Sequence, residues 1–299
     1  VFATGVGLYN FTAVYEGTFR PKESGAYELL IEGDDGYRVY VNGEKVIDYW
    51  GEHASAKREY TLKAIAGTDY KIRIEYMQAG AEALLRFDLG VYRHISPEMV
   101  VDRVKEADIV IFAGGISPSL EGEEMYSVNS PGFAGGDRTS IELPQVQRDI
   151  LKALKKAGKK VVFVNCSGSA VALVPEMESC DAILQAWYPG QAGGLAVADV
   201  LSGHFNPSGK LPVTFYKNTD QLPDFEDYSM KNRTYRYMTE VPLFPFGYGL
   251  SYTTFDISKG RLNKKTISAG QDLNFKVNVK NTGKYDGAEV IQVYVRKVD

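Results

Sequence analysis

Short apolar strands alternate with amphipathic helices in the middle of this chain, and this alternation restricts the fold more than any other feature. The apolar run Ile109–Ala113 ends at a pair of glycines, whereas Gln145–Lys156 has apolar residues at helical spacing behind Pro144. Further strands are predicted at Lys160–Asn165 and Ala182–Ala186, and further helices at Pro97–Ala107 and Gly194–Leu201. Alternating strands and helices predict an α/β layer with a mostly parallel sheet over residues 95–217.

Residues 1–94 have the two-residue period of β-strands instead. Strands are predicted at Phe11–Phe19, Tyr27–Glu32, Tyr37–Val41, Tyr70–Tyr76 and Ala83–Phe87. Asn42-Gly43 is a strong hairpin signal, because both residues tolerate the positive φ that a tight hairpin turn needs. Several short strands separated by turns predict a β-sandwich.

The last part of the chain returns to the two-residue period. A turn-rich aromatic connector is expected at 218–254, and strands are expected at Asp272–Val279 and Ala288–Arg296. Residues 255–299 therefore indicate the start of a second sandwich. Because the first residue is Val1 and the last strand reads as unfinished, we expect the chain to be a piece of a longer protein, truncated in both sandwiches.

Composition argues against several classes of protein. The net charge of −4 gives no basic surface for nucleic acid, so none is expected as a partner. The sequence has no apolar run of the roughly 18 residues that span a bilayer, so no membrane partner is expected. Cys166 and Cys180 are more simply buried apolar residues than a disulfide. No histidines or acids stand at metal-ligand spacing, so neither a metal nor a cofactor is expected.

Three carboxylates follow the predicted strand Ile109–Ala113. Glu121, Glu123 and Glu124 precede a loop that ends in Gly135-Gly136-Asp137-Arg138. Clustered like charges resist ionisation, so one carboxyl group can stay protonated near neutral pH, as a general acid requires. Open α/β sheets bind ligands beyond the carboxyl ends of their strands, which is where this run lies. From these residues alone, a solvated acidic loop is the alternative.

Two long motifs resemble the signatures of family 3 glycoside hydrolases. The first comprises Trp187–Gly194, Ala198–Gly203 and Asn206–Phe215, and the second is Pro242–Tyr252. The resemblance runs from about residue 95 to the end. Residues 1–94, with Gly33-Asp34-Asp35-Gly36 and Val41-Asn42-Gly43, resemble a protective-antigen-like β-sandwich inserted in some members, and the tail resembles a fibronectin type III-like domain. The implied fold is multidomain, with these two β-sandwiches flanking an α/β sandwich.

The resemblance also implies a reaction. The implied reaction is the one catalysed by a retaining β-xylosidase or β-glucosidase, which releases single sugars from the non-reducing ends of plant-polysaccharide oligosaccharides. The nucleophilic Asp would come from an upstream barrel, in a Ser-Asp-Trp type motif that this sequence lacks. This chain would supply the general acid/base and is expected to be inactive alone. A non-catalytic carbohydrate-binding or scaffolding module is the alternative.

The resemblance assigns roles within the acidic run. Many relatives have Glu-x-Glu-Gly-x-Asp-Arg here, which makes Glu123 the acid/base, Glu121 the second choice and Glu124 the third. About a dozen residues separate these acids from Asp137-Arg138 in this chain. The residues expected to contact the sugar are Tyr126, Asn129, Phe133, Asp137 and Arg138. For Asp137 and Arg138, an ion pair that shapes the loop is the alternative.

The remaining expectations concern partners and the acidic turn. The expected partners are an oligosaccharide substrate and the upstream barrel of the same protein, and a homodimer is compatible with the sequence. The family implies a periplasmic or secreted protein. Asp34-Asp35 is interpreted as a structural turn, because two carboxylates cannot alone supply the six to eight oxygens that calcium binds.

Overall fold

The computed structural model describes residues 4–80, 83–91, 95–121 and 129–296, with the side chain of Asn129 also left undescribed. The chain divides into two compact units, Val1–His94 and Ile95–Asp299. Each unit has its own apolar core, and each is described by itself below.

The first unit consists of two antiparallel sheets. Its strands are β1 (Phe11–Phe19), β2 (Gly25–Asp34), β3 (Tyr37–Val41), β4 (Glu44–Tyr49), β5 (Ala56–Ala64), β6 (Tyr70–Gln78) and β7 (Leu84–Gly90). One sheet has the order β1-β6-β3-β4 and the other β5-β2-β7. Alternate residues of β2 and β3, among them Leu29, Ile31 and Val39, are fully buried in a core to which both sheets contribute. A two-residue period buries one face of each strand in this way.

Local turn chemistry explains two connections in this unit. Asn42 and Gly43 both have positive φ and join β3 to β4, so the predicted hairpin is confirmed. The turn at Gly33-Asp34-Asp35-Gly36 carries the chain from one sheet to the other, because β2 and β3 belong to different sheets. The Asp35 carboxylate accepts hydrogen bonds from the backbone amides of His53 (2.9 Å) and Ala79 (2.8 Å). These contacts give Asp35 a structural role that joins three loops.

The second unit contains the predicted parallel sheet. Its order is β13-β12-β8, with β8 at Ile109–Gly115, β12 at Lys160–Cys166 and β13 at Ala182–Gln185. The helices are α1 (Pro97–Arg103), α2 (Gln145–Lys156), α3 (Val174–Ser179), α4 (Gly193–Ser202) and α5 (Thr234–Tyr237). Leu151 and Leu154 of α2 belong to the same buried cluster as Val161 and Phe163 of β12. A small sheet of β9 (Asn129–Ser130), β10 (Phe133–Ala134) and β11 (Asp137–Arg138) lies between β8 and α2 in sequence.

Two predicted elements need correction, and other elements of the structure were not predicted. Helix α1 ends at Arg103 rather than Ala107, since its last turn tightens where the Val104 amide is shared between the carbonyls of two preceding residues. Strand β5 and helix α3 were not predicted from the sequence. The strand predicted at Ala288–Arg296 is wrong, because none of residues 288–296 lies in a strand.

The tail forms pairs of short strands. Strand β14 (Phe255–Ile257) pairs with β17 (Val279–Asn281), and β15 (Arg261–Leu262) pairs with β16 (Phe275–Lys276). These pairs fall within residues 255–299, the stretch expected to begin a sandwich, and only Phe275, Lys276 and Val279 of the strand expected at Asp272–Val279 lie in them. Across the described residues, no helix combines the length and the hydropathy that crossing a membrane requires.

Candidate active site

The carboxyl ends of three parallel strands bring distant polar side chains together. Glu121 lies after β8, Ser169 after β12 and Tyr188 after β13. The Ser169 hydroxyl donates to Glu121 Oε1 at 3.1 Å, and the Tyr188 hydroxyl donates to Glu121 Oε2 at 3.3 Å. The first residue of the acidic run is therefore fixed at the edge of the sheet where open α/β folds bind ligands.

Arg138 reaches the same point from the small sheet that follows the acidic run. Its Nη1 lies 2.7 Å from Ser169 Oγ and 3.6 Å from Glu121 Oε1. The side chain is only 11% exposed. Burial lowers the pKa of Arg138, whereas the neighbouring Glu121 carboxylate raises it. Because a guanidinium stays charged in proteins, this buried cation needs a carboxylate beside it.

Close backbone approach shapes the end of β8. Gly115 has φ +126°, and a Cβ there would lie 1.8 Å from the Cys166 carbonyl oxygen. Glycine is therefore required for the ends of β8 and β12 to meet. Gln147, on α2, donates to the Gly115 carbonyl (2.7 Å) and accepts from its amide (2.8 Å). This pair of bonds fixes the strand end from which the chain leads to Glu121.

The loop after β12 fits closely against Tyr188. A Cβ on Gly168 would lie 2.5 Å from the Tyr188 ring, so a larger residue would displace the phenol. Next to this loop, the side chain of Asn165 donates to the Gln185 side-chain oxygen (2.6 Å), and the Gln185 side-chain nitrogen donates to the Ser167 hydroxyl (3.1 Å). These two hydrogen bonds link the end of β12 to β13. Burial, and next the Glu121 carboxylate, raise the pKa of Tyr188, so its hydroxyl remains a hydrogen-bond donor near neutral pH.

The predicted site residues fall into three groups. Glu123, Glu124 and Tyr126 lie outside the described residues, and so does the side chain of Asn129. Glu121 and Arg138 lie together in the cluster just described. Phe133 and Asp137 lie in the same small sheet as Arg138, and Phe133 is the residue paired with Arg138.

Phe133 and Asp137 differ in burial, and their expected contact with a sugar stays a prediction. Phe133 is only 5% exposed and packs in the apolar core, so it has little surface to offer. Asp137 is exposed, and in the described structure the ion-pair partner of Arg138 is Glu121 rather than Asp137. Among the described residues, Arg138 thus pairs with Glu121 and not with Asp137, the acid that was expected.

Three side chains of this site were not predicted from the sequence. They are Gln147, Ser169 and Tyr188. Tyr188 precedes Pro189-Gly190, a pair that is typical of a structural turn. The position of Tyr188 shortly after the carboxyl end of β13 indicates that it belongs to the site, since parallel strands bring their carboxyl ends to one edge of the sheet. Ser169 has the same signal after β12.

Two other features do not form a competing acid–base site. A mostly apolar groove of about 640 Å³ lies between β13, α4 and the connector, and Asp181 is the single carboxylate among the described residues that line it. Asp181 already accepts from the Val161 amide (2.8 Å) and from Lys155 (3.2 Å). Within the described ranges, no group of three or more His, Cys, Asp or Glu residues could bind a metal ion.

Comparison with known proteins identifies the family. The profile of the "Glycosyl hydrolase family 3 C-terminal domain" matches residues 30–252, which is most of the chain. The chain belongs to glycosyl hydrolase family 3. Family membership confirms the resemblance carried by the two long motifs, and this chain corresponds to a C-terminal portion of such proteins.

Named relatives of this family 3 chain include xylosidases and glucosidases. It is 52% identical over its whole length to a xylan 1,4-β-xylosidase of Xylanibacter ruminicola, of which it covers 34%. It is 40% identical, over 68% of its length, to a periplasmic β-glucosidase of Salmonella typhimurium, of which the match covers 27%. This chain thus spans about a third or less of these relatives.

A solved structure supports the fold. The crystal structure of a β-glucosidase from Kluyveromyces marxianus matches 92% of this family 3 chain with a TM-score of 0.66 at 27% identity, and the match covers 34% of that protein. Mixed sheets and helices, with several small sheets, are thus consistent with family 3 C-terminal domains.

Proposed function

We propose that this chain supplies the general acid/base, Glu123, to a retaining exo-β-glycosidase. The nucleophilic Asp comes from an upstream barrel of the same protein. The observation that carries the proposal is the cluster of Arg138, Ser169 and Tyr188 around Glu121. These contacts support the proposal, because they hold Glu121 at the edge of the sheet where open α/β folds generally bind ligands.

The hydrogen bonds of Glu121 favour Glu123 over Glu121 as the proton donor. Both carboxylate oxygens of Glu121 accept hydrogen bonds, and a guanidinium lies beside it. Both oxygens of Glu121 are thus already occupied by protein groups, whereas a general acid must be free to reach the leaving oxygen of the substrate. Glu124 stays the third choice.

The reaction needs two carboxyl groups about 5–5.5 Å apart. The acid/base first protonates the leaving oxygen while the nucleophilic Asp attacks the anomeric carbon. It then removes a proton from the water that hydrolyses the glycosyl-enzyme. With one of these two groups upstream, the 299-residue chain by itself is expected to be inactive.

Xylo-oligosaccharides are the proposed substrate, with release of single xylose units from non-reducing ends. The 52% identity to a xylan 1,4-β-xylosidase supports this choice over glucose. A β-glucosidase is the alternative, since the Salmonella relative bears that name. That relative is described as periplasmic, which supports a periplasmic or secreted location for this protein.

Kinetics of the full-length protein test the function. We expect faster hydrolysis of para-nitrophenyl β-xyloside than of the β-glucoside, and a loss of roughly 10²–10⁴ in turnover of methyl xyloside in Glu123→Gln. The matched control is Glu178→Gln, at an exposed position of α3, which should turn over normally. Undiminished turnover in Glu123→Gln would remove the acid/base assignment. Binding of xylan without hydrolysis of either glycoside would favour a non-catalytic module instead.

A further inference from the structure

Two aromatic side chains of the connector are almost fully exposed. Phe225 is 92% exposed and Tyr228 is 91% exposed, whereas no other aromatic residue in the described part of the chain exceeds 63%. Met230, two residues after Tyr228, is also exposed. We call residues 224–230 the aromatic loop. Because apolar side chains that are clustered at a surface mark interaction sites, this loop is a candidate interaction surface.

The aromatic loop is ordered by its own hydrogen bonds. Arg233 Nε donates to the Ser229 carbonyl at 3.1 Å, and Arg233 Nη2 donates to the carbonyls of Asp224 (3.2 Å) and Asp227 (2.6 Å). The Asp224 carboxylate accepts from the Glu226 amide at 2.9 Å. The Asp227 carboxylate accepts from the Ser229 amide at 2.8 Å. The two rings are thus presented by a preorganised loop, which loses little conformational entropy when a partner binds.

The size and the charge of the aromatic loop describe the surface that would match it. An aromatic side chain buries about 150–250 Å², so the two rings together offer roughly 300–500 Å². This is a large share of the roughly 800 Å² that each partner contributes to a stable interface. Asp224, Glu226 and Asp227 flank the rings, and residues 224–230 contain no Lys or Arg. The matching surface is therefore apolar at its centre and basic at its rim.

We propose that the aromatic loop is the docking surface for the upstream barrel of the same protein. This inference rests on the proposed function, which places the nucleophilic Asp in that barrel. This chain covers 34% of the Xylanibacter xylosidase, and its match covers 27% of the Salmonella glucosidase, so most of such a protein lies outside it. A covalently linked surface has a high effective concentration, so it occupies the loop in preference to a second copy.

A sugar is a weaker candidate for the occupant. Small-molecule sites orient their ligand with precisely placed polar groups beside the apolar contacts. In the aromatic loop, the Arg233 guanidinium donates to three carbonyls, and Asp224 and Asp227 each accept from a backbone amide. Because these polar groups serve the loop itself, the rings are left to contact an apolar surface.

Hydroxyl-radical footprinting of the full-length protein tests whether the rings are covered. Phe225 and Tyr228 are almost fully exposed in this chain, so unfolding in urea would barely change their oxidation rates if nothing covered them. We expect both to be oxidised about 10-fold more slowly in the native full-length protein than in urea, since a docked surface excludes water. Tyr37, which is 0% exposed, calibrates full protection. Native rates equal to those in urea would overturn the inference.

A photo-reactive residue at position 228 identifies what covers the loop. With Tyr228 replaced by benzoylphenylalanine in the full-length protein, we expect intramolecular cross-links to peptides of the upstream barrel, read by mass spectrometry. Cross-links to a second copy, or to added xylotetraose alone, would overturn the inference, and so would the absence of cross-links. Replacement of Glu178, at an exposed position of α3, is the control. Equal yields of barrel cross-links from the two positions would also contradict docking at the aromatic loop.

The role of Arg233 is tested with the photo-reactive residue in place. Arg233→Met removes the bonds that order the loop, so the yield of barrel cross-links should fall about 10-fold. Arg233→Lys should keep part of the yield, since it keeps a donor. Arg236→Met is the matched control, because Arg236 lies over the Tyr237 ring at 5.6 Å and should leave the yield unchanged. An undiminished yield in Arg233→Met would show that the ordered loop is not the docking element.

Failure of this inference and failure of the proposed function give different results. Glu123→Gln tests the acid/base by turnover and should leave the cross-links from position 228 unchanged. If Glu123→Gln turns over normally while position 228 still cross-links to the barrel, the acid/base assignment fails and the docking surface stands. If position 228 does not reach the barrel while Glu123→Gln loses turnover, the docking surface fails and the proposed function stands.

Discussion

The side-chain amide of Gln147 forms two hydrogen bonds with the backbone of Gly115. Its nitrogen donates to the Gly115 carbonyl at 2.7 Å, and its oxygen accepts from the Gly115 amide at 2.8 Å. Gly115 is the last residue of β8, and the acidic run begins six residues later at Glu121. Helix α2 thereby stabilises the strand end from which the candidate site is built.

The first prediction follows from this contact. Gln147→Ala removes two hydrogen bonds from a half-buried strand end and should lower the free energy of unfolding by about 1–3 kcal/mol. Activity of the full-length protein should fall as well, because the start of the acidic run loses support. Gln145→Ala is the control, since Gln145 makes an exposed bond to Asp149 on the same helix. Equal thermal shifts in the two variants would contradict the prediction.

The second prediction concerns the glycine itself. Gly115→Ala places a Cβ against the Cys166 carbonyl oxygen at a position with φ +126°, so either β8 or β12 must move. We expect a loss of roughly 3 kcal/mol or more in stability, measured by thermal or denaturant unfolding. Gly194→Ala is the comparison, because the space around Gly194 is free and helix α4 accepts alanine well. A variant Gly115→Ala as stable as the wild type would show that the two strand ends do not meet this closely.

The elements that were predicted correctly are those determined by residues close together in the sequence. Helix α2 has the predicted limits Gln145–Lys156, since its apolar spacing and the preceding proline are both short-range signals. The hairpin at Asn42-Gly43 is likewise determined by two residues. The failed strand at Ala288–Arg296 shows the limit of such patterns. Alternation of apolar residues does not reveal whether a neighbouring strand exists to pair with them.

The contacts of the candidate site depend on sheet order, which local patterns do not contain. Tyr188 and Glu121 are 67 residues apart and meet because β13, β12 and β8 lie side by side in parallel. The sequence placed Glu121, the first residue of the acidic run, correctly beyond the end of β8. It did not predict that Arg138 would pair with Glu121, because this depends on how the small sheet β9–β11 folds back.

The third prediction concerns the two cysteines, which are both free thiols. Burial, and next the charges of Glu176 and Asp181, raise the pKa of Cys180 to about 12. At pH 8 roughly one Cys180 in 10⁴ is then a thiolate, and access to it is poor. Iodoacetamide should label the half-buried Cys166 well before Cys180 in the native protein, as read by peptide mass spectrometry. In urea both should react, and equal native rates would contradict the burial of Cys180.

The fourth prediction is a pH dependence of stability that arises at Glu142. Burial alone would raise its pKa, but hydrogen bonds from Ser140 and from Thr219 outweigh burial and lower the pKa from 4.5 to about 2. The Thr219 hydroxyl and amide donate to its carboxylate at 2.6 and 3.0 Å. A lowered pKa stabilises the fold above pH 4.5, and this contribution is lost as the pH falls from 4.5 to about 2.

Glu142→Gln should therefore lower stability most at neutral pH. The pKa shift corresponds to at most about 3 kcal/mol, and partial exposure to solvent reduces this to about 1–2 kcal/mol. Thermal unfolding of wild type and variant at pH 7 and pH 3 should show a Tm difference that shrinks at the lower pH. Glu178→Gln, on the exposed surface of α3, should give no difference at either pH. A Tm difference for Glu142→Gln that is the same at both pH values would mean that its carboxylate is not stabilised in the folded state, and the bonds from Thr219 would then contribute through packing alone.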